Sequence, residues 1–256
     1  MRHGKGMAIT EDGISYIGNW IDGQRHGLGT LKNSNGDVYV GDWIADIKQG
    51  HGKITWADGS WYEGEWDNGK RVGAGTSKSS RGDVYTGEWK ADVKHGQGSL
   101  KSDDGSEYKG MWIDGKFNGL GHHIKRWKSK LMPGIDRLDE YTGSFENGKR
   151  HGTGTFKSSW SVAVYEGQWI NGLRSGVGKQ IFDDGDVYSG DWKEDCMHGS
   201  GTYTHANCGN TYEGAFVRSK RHGDGRLSFK NGDQFTGEFK NGKYDKKDGT
   251  YWVCVS

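Results

Sequence analysis

Large rings and polar residues alternate along this chain with a period of two. Residues 62–66 read Tyr-Glu-Gly-Glu-Trp, 39–43 Tyr-Val-Gly-Asp-Trp, and 188–192 Tyr-Ser-Gly-Asp-Trp. In a strand, residues at i, i+2 and i+4 share one face, so each word puts two rings and a glycine on one side. A helix would scatter them. The leading ring recurs at Tyr16, Tyr39, Tyr62, Tyr85, Tyr108, Tyr141, Tyr165, Tyr188, Tyr212 and Phe235. The closing ring recurs at Trp20, Trp43, Trp66, Trp89, Trp112, Phe145, Trp169, Trp192, Phe216 and Phe239, with a glycine midway in every copy. The steps between leading rings are 23 residues, apart from one of 33 and two of 24.

A second word follows the first. His26-Gly27-Leu28-Gly29 returns at His95, His151, His198 and His222, and its glycines persist where the histidine does not, as in Gln49-Gly50-His51-Gly52. On strict alternation Gly27, Gly29 and Leu31 share a face, and His26, Leu28 and Thr30 take the other. Between the words stand Asp22-Gly23, Asn68-Gly69, Asp114-Gly115, Asn147-Gly148 and Asn171-Gly172. Between units stand Asn35-Gly36, Asp58-Gly59, Asp104-Gly105, Asp184-Gly185 and Asn231-Gly232. Both sets read as tight hairpin turns with two central residues at positive φ. The chain is therefore predicted to meander. The organisation expected is a half repeat at 1–13, nine full repeats over 14–232 and a degenerate capping repeat at 233–256, roughly twenty strands in all.

No helical segment is predicted to cover either face. A strand glycine leaves a gap that a neighbouring ring can cross, so the rings would form one apolar strip without a second layer. The predicted fold is all-β: an elongated, twisted, single-layer antiparallel β-hairpin array. At ~4.8 Å per strand its length would be on the order of 90–100 Å. The opposite face carries Asp42, Glu65, Glu88, Asp191 and Glu238 with His26, Lys53, His95 and His151, and reads as a solvated face.

Composition sharpens this picture. There are 46 glycines and one proline in 256 residues, with 12 Trp and 12 Tyr, so disorder and collagen are both excluded. The formal net charge of +1 gives no field to recruit nucleic acid. Three scattered cysteines (Cys196, Cys208, Cys254) make no zinc motif or disulfide framework, which fits a reducing, intracellular setting, and are expected to be half-buried. The N-terminus has no apolar run of the signal-peptide kind.

The 33-residue step contains 122–140, with the only proline in Pro133-Gly134. It is expected to form an overlong hairpin with arms near Ile124–Leu131 and Ile135–Glu140, projecting roughly 15 Å. Lys125, Arg126, Lys128 and Lys130 surround Trp127, which suits an acidic partner or an anionic headgroup; the alternative is a hairpin kept soluble by its lysines. Catalysis has little support. Equivalent histidines two strands apart would lie ~9.6 Å from each other, too far to share a zinc ion whose ligand nitrogens stand about 3.3 Å apart. The G-x-G pairs lack the strand-to-helix context of a nucleotide site. No catalytic residue, metal or cofactor is expected.

Tyr-x-Gly-x-Trp followed by His-Gly-x-Gly at this period resembles the MORN repeat (membrane occupation and recognition nexus) over nearly the whole chain. The resemblance implies twisted rods of β-hairpins. It also implies a non-enzymatic scaffold or adaptor of the cytoskeletal and ciliary type, including radial spoke heads, in the cytoplasm and axoneme. Such a scaffold would receive a helix or extended peptide of a partner protein in an aromatic groove lined by the twenty rings above, or a strand at its end, and two copies could pair. The alternative implied by other family members is a peripheral protein that binds phosphoinositides or anionic membrane.

Overall fold

The computed structural model describes residues 1–128, 134 and 136–252. The described residues form twenty-one strands and no helix. They divide into two units, Met1–Gly119 and Leu120 onward. The first holds β1 (Gly4–Ile9), β2 (Ser15–Ile21), β3 (Gln24–Lys32), β4 (Val38–Ile44), β5 (Ile47–Thr55), β6 (Trp61–Asp67), β7 (Lys70–Lys78), β8 (Val84–Lys90), β9 (Val93–Lys101) and β10 (Glu107–Ile113). β11 (Lys116–Trp127) spans the boundary. The second continues with β12 (Arg137–Glu146), β13 (Lys149–Ser158), β14 (Val164–Ile170), β15 (Leu173–Ile181), β16 (Val187–Lys193), β17 (Cys196–Thr204), β18 (Thr211–Val217), β19 (Lys220–Ser228), β20 (Gln234–Lys240) and β21 (Lys243–Trp252).

From β1 to β10, and again from β12 to β21, each strand pairs antiparallel with the next one in sequence. The register sets glycine opposite glycine at every step. Gly18 faces Gly29, Gly29 faces Gly41, Gly41 faces Gly52 and Gly52 faces Gly64. A spine without side chains thus runs across each unit, with rings folded over it. The single-layer all-β meander predicted from the two words is the fold.

Two local features differ from strict alternation. The ladder between the two strands of a unit shifts just after the glycine pair, as between Gly64 and Glu65, so the second word contains a β-bulge. Its first glycine takes positive φ there (Gly27 59°, Gly73 54°, Gly96 58°), which is why that position is glycine. The word's acidic residue folds back to cap the bulge. Asp42 accepts from the His51 amide at 3.1 Å and Glu88 from the Gln97 amide at 2.8 Å. Asp42, Glu88 and Asp191 are thus part of the backbone hydrogen bonding rather than merely solvated.

The turns are of two kinds. Within a unit both central residues are left-handed, as expected: Asn68 49° and Gly69 77°. Between units only the glycine is, as at Gly36 (95°) and Gly59 (81°). There Trp56 N donates to Ser60 O and Gly59 N to Trp56 O. This is a three-residue loop, a type I turn followed by a left-handed glycine, instead of the expected two-residue turn. The Asn or Asp before the glycine orders the loop from its side chain, as Asp58 Oδ1 accepting from Ser60 N at 2.9 Å.

The overlong hairpin is present as far as it is described. β11 runs through Ile124 to Trp127 and β12 starts at Arg137; Lys130 and Pro133 lie outside the described residues. Cys196 is half-buried but Cys208 is exposed on the loop after β17, contrary to expectation; Cys254 also lies outside.

Candidate functional site

The aromatic face is built one repeat at a time. The Tyr62 ring lies along its own strand over Gly64 and across to Gly75 of β7. A Cβ at Gly64 would stand 2.6 Å from the Tyr62 hydroxyl and 2.6 Å from the Gly75 Cα. Each tyrosine therefore seats on two glycines at once, one of them in its own strand. Its hydroxyl donates to the carbonyl three residues on, as Tyr62 to Glu65 O at 3.0 Å. Each closing tryptophan's indole donates to a glycine carbonyl of the preceding strand: Trp66 to Gly52 O at 3.0 Å, Trp192 to Gly178 O at 3.1 Å. Buried polar tips are thus satisfied without a second layer.

The rings interlock edge to face. Tyr39 meets Trp43 of its own strand at 5.1 Å and Trp66 of the next repeat at 5.3 Å, and the same pair of contacts recurs along each unit. All twenty rings predicted as groove lining are buried, the most exposed being Trp20 and Trp89 at 6%. They are the interior of the layer, and solvent meets what lies above them. Burial raises the tyrosine pKa values; Tyr62, Tyr85, Tyr108, Tyr141 and Tyr165 reach about 12.

What lies above is a row of cations. Met197 opposite Trp192 and Tyr244 opposite Phe239 interrupt the row; the cations paired across from closing rings are Arg25, Lys48, Arg71 and Lys94 in the first unit and Arg150, Arg174 and Arg221 in the second. Each sits over the rings of two successive repeats. Arg25 is 4.3 Å from the Trp43 ring centre and 5.9 Å from Tyr16; Lys48 is 4.8 Å from both Tyr39 and Trp66; Arg150 is 4.2 Å from Trp169. Cation and ring quadrupole attract by about 0.5–2 kcal/mol, and the stems shield the rings from water. Phe117 takes the same place at the end of the first unit, stacked on Tyr108 at 3.7 Å. Sequence reasoning missed this row. Its signal was the basic residue directly before the second word, as in Arg25-His26-Gly27 and Lys94-His95-Gly96.

The arms of the long hairpin carry their own ion pairs. Arg126 Nη1 stands 3.3 Å from Asp136 Oδ2, and the Trp127 indole donates to Asp139 Oδ2 at 2.8 Å. Burial would raise the Asp139 carboxyl, but hydrogen bonds from Arg137, Ser158 and Trp127 hold it below the usual carboxylate range. Lys125 Nζ is 5.6 Å from the Trp127 ring centre, and Trp127 and Lys128 are exposed. A cleft of about 420 Å³ lies beside the arms, with Lys125, Arg137, Lys149 and Arg150 in its wall and Tyr141 and Phe156 beneath. Among the described residues no cluster of three His, Cys, Asp or Glu side chains could hold a metal ion.

The MORN repeat model matches residues 16–38, 39–61, 62–84, 85–107, 108–126, 141–161, 165–187, 188–207, 212–234 and 235–245. The chain belongs to the MORN repeat family. Each matched MORN repeat starts at a leading ring, and all but the last (235–245) run through both words towards the next, so the common unit is the ring–glycine–ring seat. A stretch of 46 residues, the length of two 23-residue MORN repeats, is 46% identical to MORN repeat-containing protein 3 of Xenopus laevis. It covers 18% of this chain and 19% of that protein. Among solved structures, the SAS-4 TCP domain of Drosophila melanogaster, in complex with a proline-rich motif of Ana2, aligns over 92% of this chain and 90% of its own. Its identity is 11% and its TM-score 0.21. The CPAP G-box domain aligns over 98% of this chain and all of its own, at 10% identity and a TM-score of 0.23. Likeness at that level carries no argument.

Proposed function

We propose that this MORN repeat chain is a non-enzymatic scaffold that binds partner proteins along its aromatic–cationic face, within a cytoskeletal or axonemal assembly of the radial-spoke kind. The observation that carries this reading is repetition. The same ring pair recurs in every repeat and a half-buried cation covers it in seven of them, with Phe117, Met197 and Tyr244 in that place elsewhere, so the face offers a partner a ladder of similar contacts rather than one enclosed pocket. Ladders of this kind suit a helix or an extended segment, whose side chains also recur at fixed spacing. The test is the location of the tagged protein in ciliated cells. Axonemal signal that survives detergent extraction of membranes is expected; signal confined to a detergent-soluble membrane fraction would overturn the reading.

The exposed Trp127 between Lys125 and Lys128 supports a second reading, contact of the hairpin with an anionic bilayer. Flotation with phosphatidylserine vesicles at physiological salt separates the two. Under the scaffold reading wild type and the K125E/K128E variant both stay unbound. Binding that this variant abolishes would favour the membrane.

A further inference from the structure

The cations above the rings have two kinds of surroundings. After Arg25, Arg71 and Arg174 the next within-unit turn is Ala45-Asp46, Ala91-Asp92 or Glu194-Asp195. The turn aspartate donates its N–H to that arginine's carbonyl, at 3.1, 3.0 and 3.0 Å. It also returns its carboxylate to the arginine Nε, at 2.7, 2.9 and 2.9 Å. After Lys48, Lys94 and Arg150 the same backbone bond comes from Gly69, Gly115 and Gly172, at 3.0, 2.9 and 2.8 Å. A glycine has no carboxylate to return. Among the described residues these three cations have no carboxylate within 4.0 Å. Burial pulls the pKa of all three down, and the carboxylates that act on them from beyond 4.0 Å (Asp37 and Asp92 on Lys48, Asp83 on Lys94, Asp195 and Asp139 on Arg150) raise it without outweighing burial.

In the first unit the two kinds alternate: Arg25 clamped, Lys48 not, Arg71 clamped, Lys94 not. The first unit thus has a second period of 46 residues laid over the first. Lys48 and Lys94 lie four strands apart, on the order of 19 Å at ~4.8 Å per strand. Both are half-buried, with the ammonium near the rings of two repeats. The neighbouring repeats show what the position accepts, since there a carboxylate settles on the cation from the solvent side.

Resting on the reading of this face as the protein-binding one, we propose that the first unit takes an acidic peptide segment of a partner, with carboxylates on Lys48 and Lys94 as Asp46 and Asp92 sit on Arg25 and Arg71. Charge complementarity selects the occupant. The sunken, spaced cations call for single carboxylates on side chains that reach in, whereas a bilayer meets exposed cations in a flat array.

The experiment uses the purified chain and two fluorescent helical peptides, one of Leu, Ala and Glu and a twin with Gln for every Glu. Anisotropy at ~0.1 M salt, where the Debye length is about 10 Å, reads the dissociation constants. The Glu peptide is expected to bind at least about 10-fold more tightly than the twin, a difference of about 1.4 kcal/mol. K48Q/K94Q should reduce it to the level of the twin. G69D/G115D should do the same by supplying the missing carboxylates within the chain. A side chain at Gly69 meets nothing within 4 Å, one at Gly115 meets only ordinary contact with Val93, and Asp46 and Asp92 already adopt such turn angles. K53Q, on the opposite face, should change nothing, and urea midpoints check that each variant is folded. The proposal is overturned if neither peptide binds, or if the Glu preference survives both double variants. It also falls if the peptides bind alike, but then the scaffold reading stands on an apolar face; that reading is decided by localisation. Capture of wild type, but not K48Q/K94Q, by phosphatidylserine vesicles would give the two lysines to a membrane instead.

Discussion

A glycine in this chain acts through the ring it admits. A methyl at Gly64 would collide with the Tyr62 hydroxyl, the Ala74 carbonyl and the Gly75 Cα, each 2.6 Å away. Gly64→Ala is therefore expected to cost at least about 1–3 kcal/mol, read by urea unfolding. Gly59→Ala, with nothing within 4 Å but φ at 81°, should cost only about 1–2 kcal/mol. Equal losses would mean that ring seating adds nothing to backbone strain. The tyrosines make a second expectation. Burial raises five of them to about 12 from an ordinary 10.0. Between those values the native chain holds protons that the unfolded chain has shed. This contribution to stability is complete below pH 10 and is lost as pH rises through about 12. Tyrosinate absorbance should appear together with unfolding; smooth titration near 10 in a folded protein would contradict the packing. Tyr62, Gly64 and Trp66 were assigned to one face from spacing alone, because a period of two has a single meaning. The cation above them was not seen, because one basic residue per repeat looks like any solvated charge until its register with the ring is known.

At the scale of the element, the turns and the bulge decide how strand follows strand. Ala45 and Ala91 hold left-handed angles (47° each) that alanine rarely adopts, beside aspartates that clamp an arginine of the preceding repeat. Ala45→Gly is expected to raise stability by up to about 1 kcal/mol, since relief of strain exceeds the added unfolded-state entropy. An unchanged or lower urea midpoint would show that Ala45 is unstrained. Burial raises the Asp92 carboxyl, but the Arg71 amide, side chain and charge outweigh it and leave the pKa lowered. The clamp's contribution is thus present above the ordinary carboxylate pKa and is lost as pH falls through the lower folded value. Asn68-Gly69 was legible as a two-residue turn from its dipeptide. Asn35-Gly36 was not distinguishable from it, because the same dipeptide also closes a type I turn with a left-handed glycine. The bulge escaped for a related reason: strict alternation leaves no room for an extra residue, and only positive φ at Gly27 and its equivalents reveals it.

Across the molecule the repeats make a one-dimensional system. Among the described residues, every strand from β1 to β10 pairs with its sequence neighbours. Stability should then be a sum of repeats and nearest-neighbour contacts, with no repeat indispensable. Removal of residues 39–84 tests this most directly. It deletes two repeats, joins Val38 to Tyr85 in register, and brings Arg25 to the Ala91-Asp92 turn in place of Ala45-Asp46. The shortened chain is expected to unfold in one cooperative urea transition, with an m-value lower by about a fifth and tryptophan emission still that of buried rings. An unfolded or aggregated product would contradict the claim that each repeat is a complete unit seated only on its neighbours.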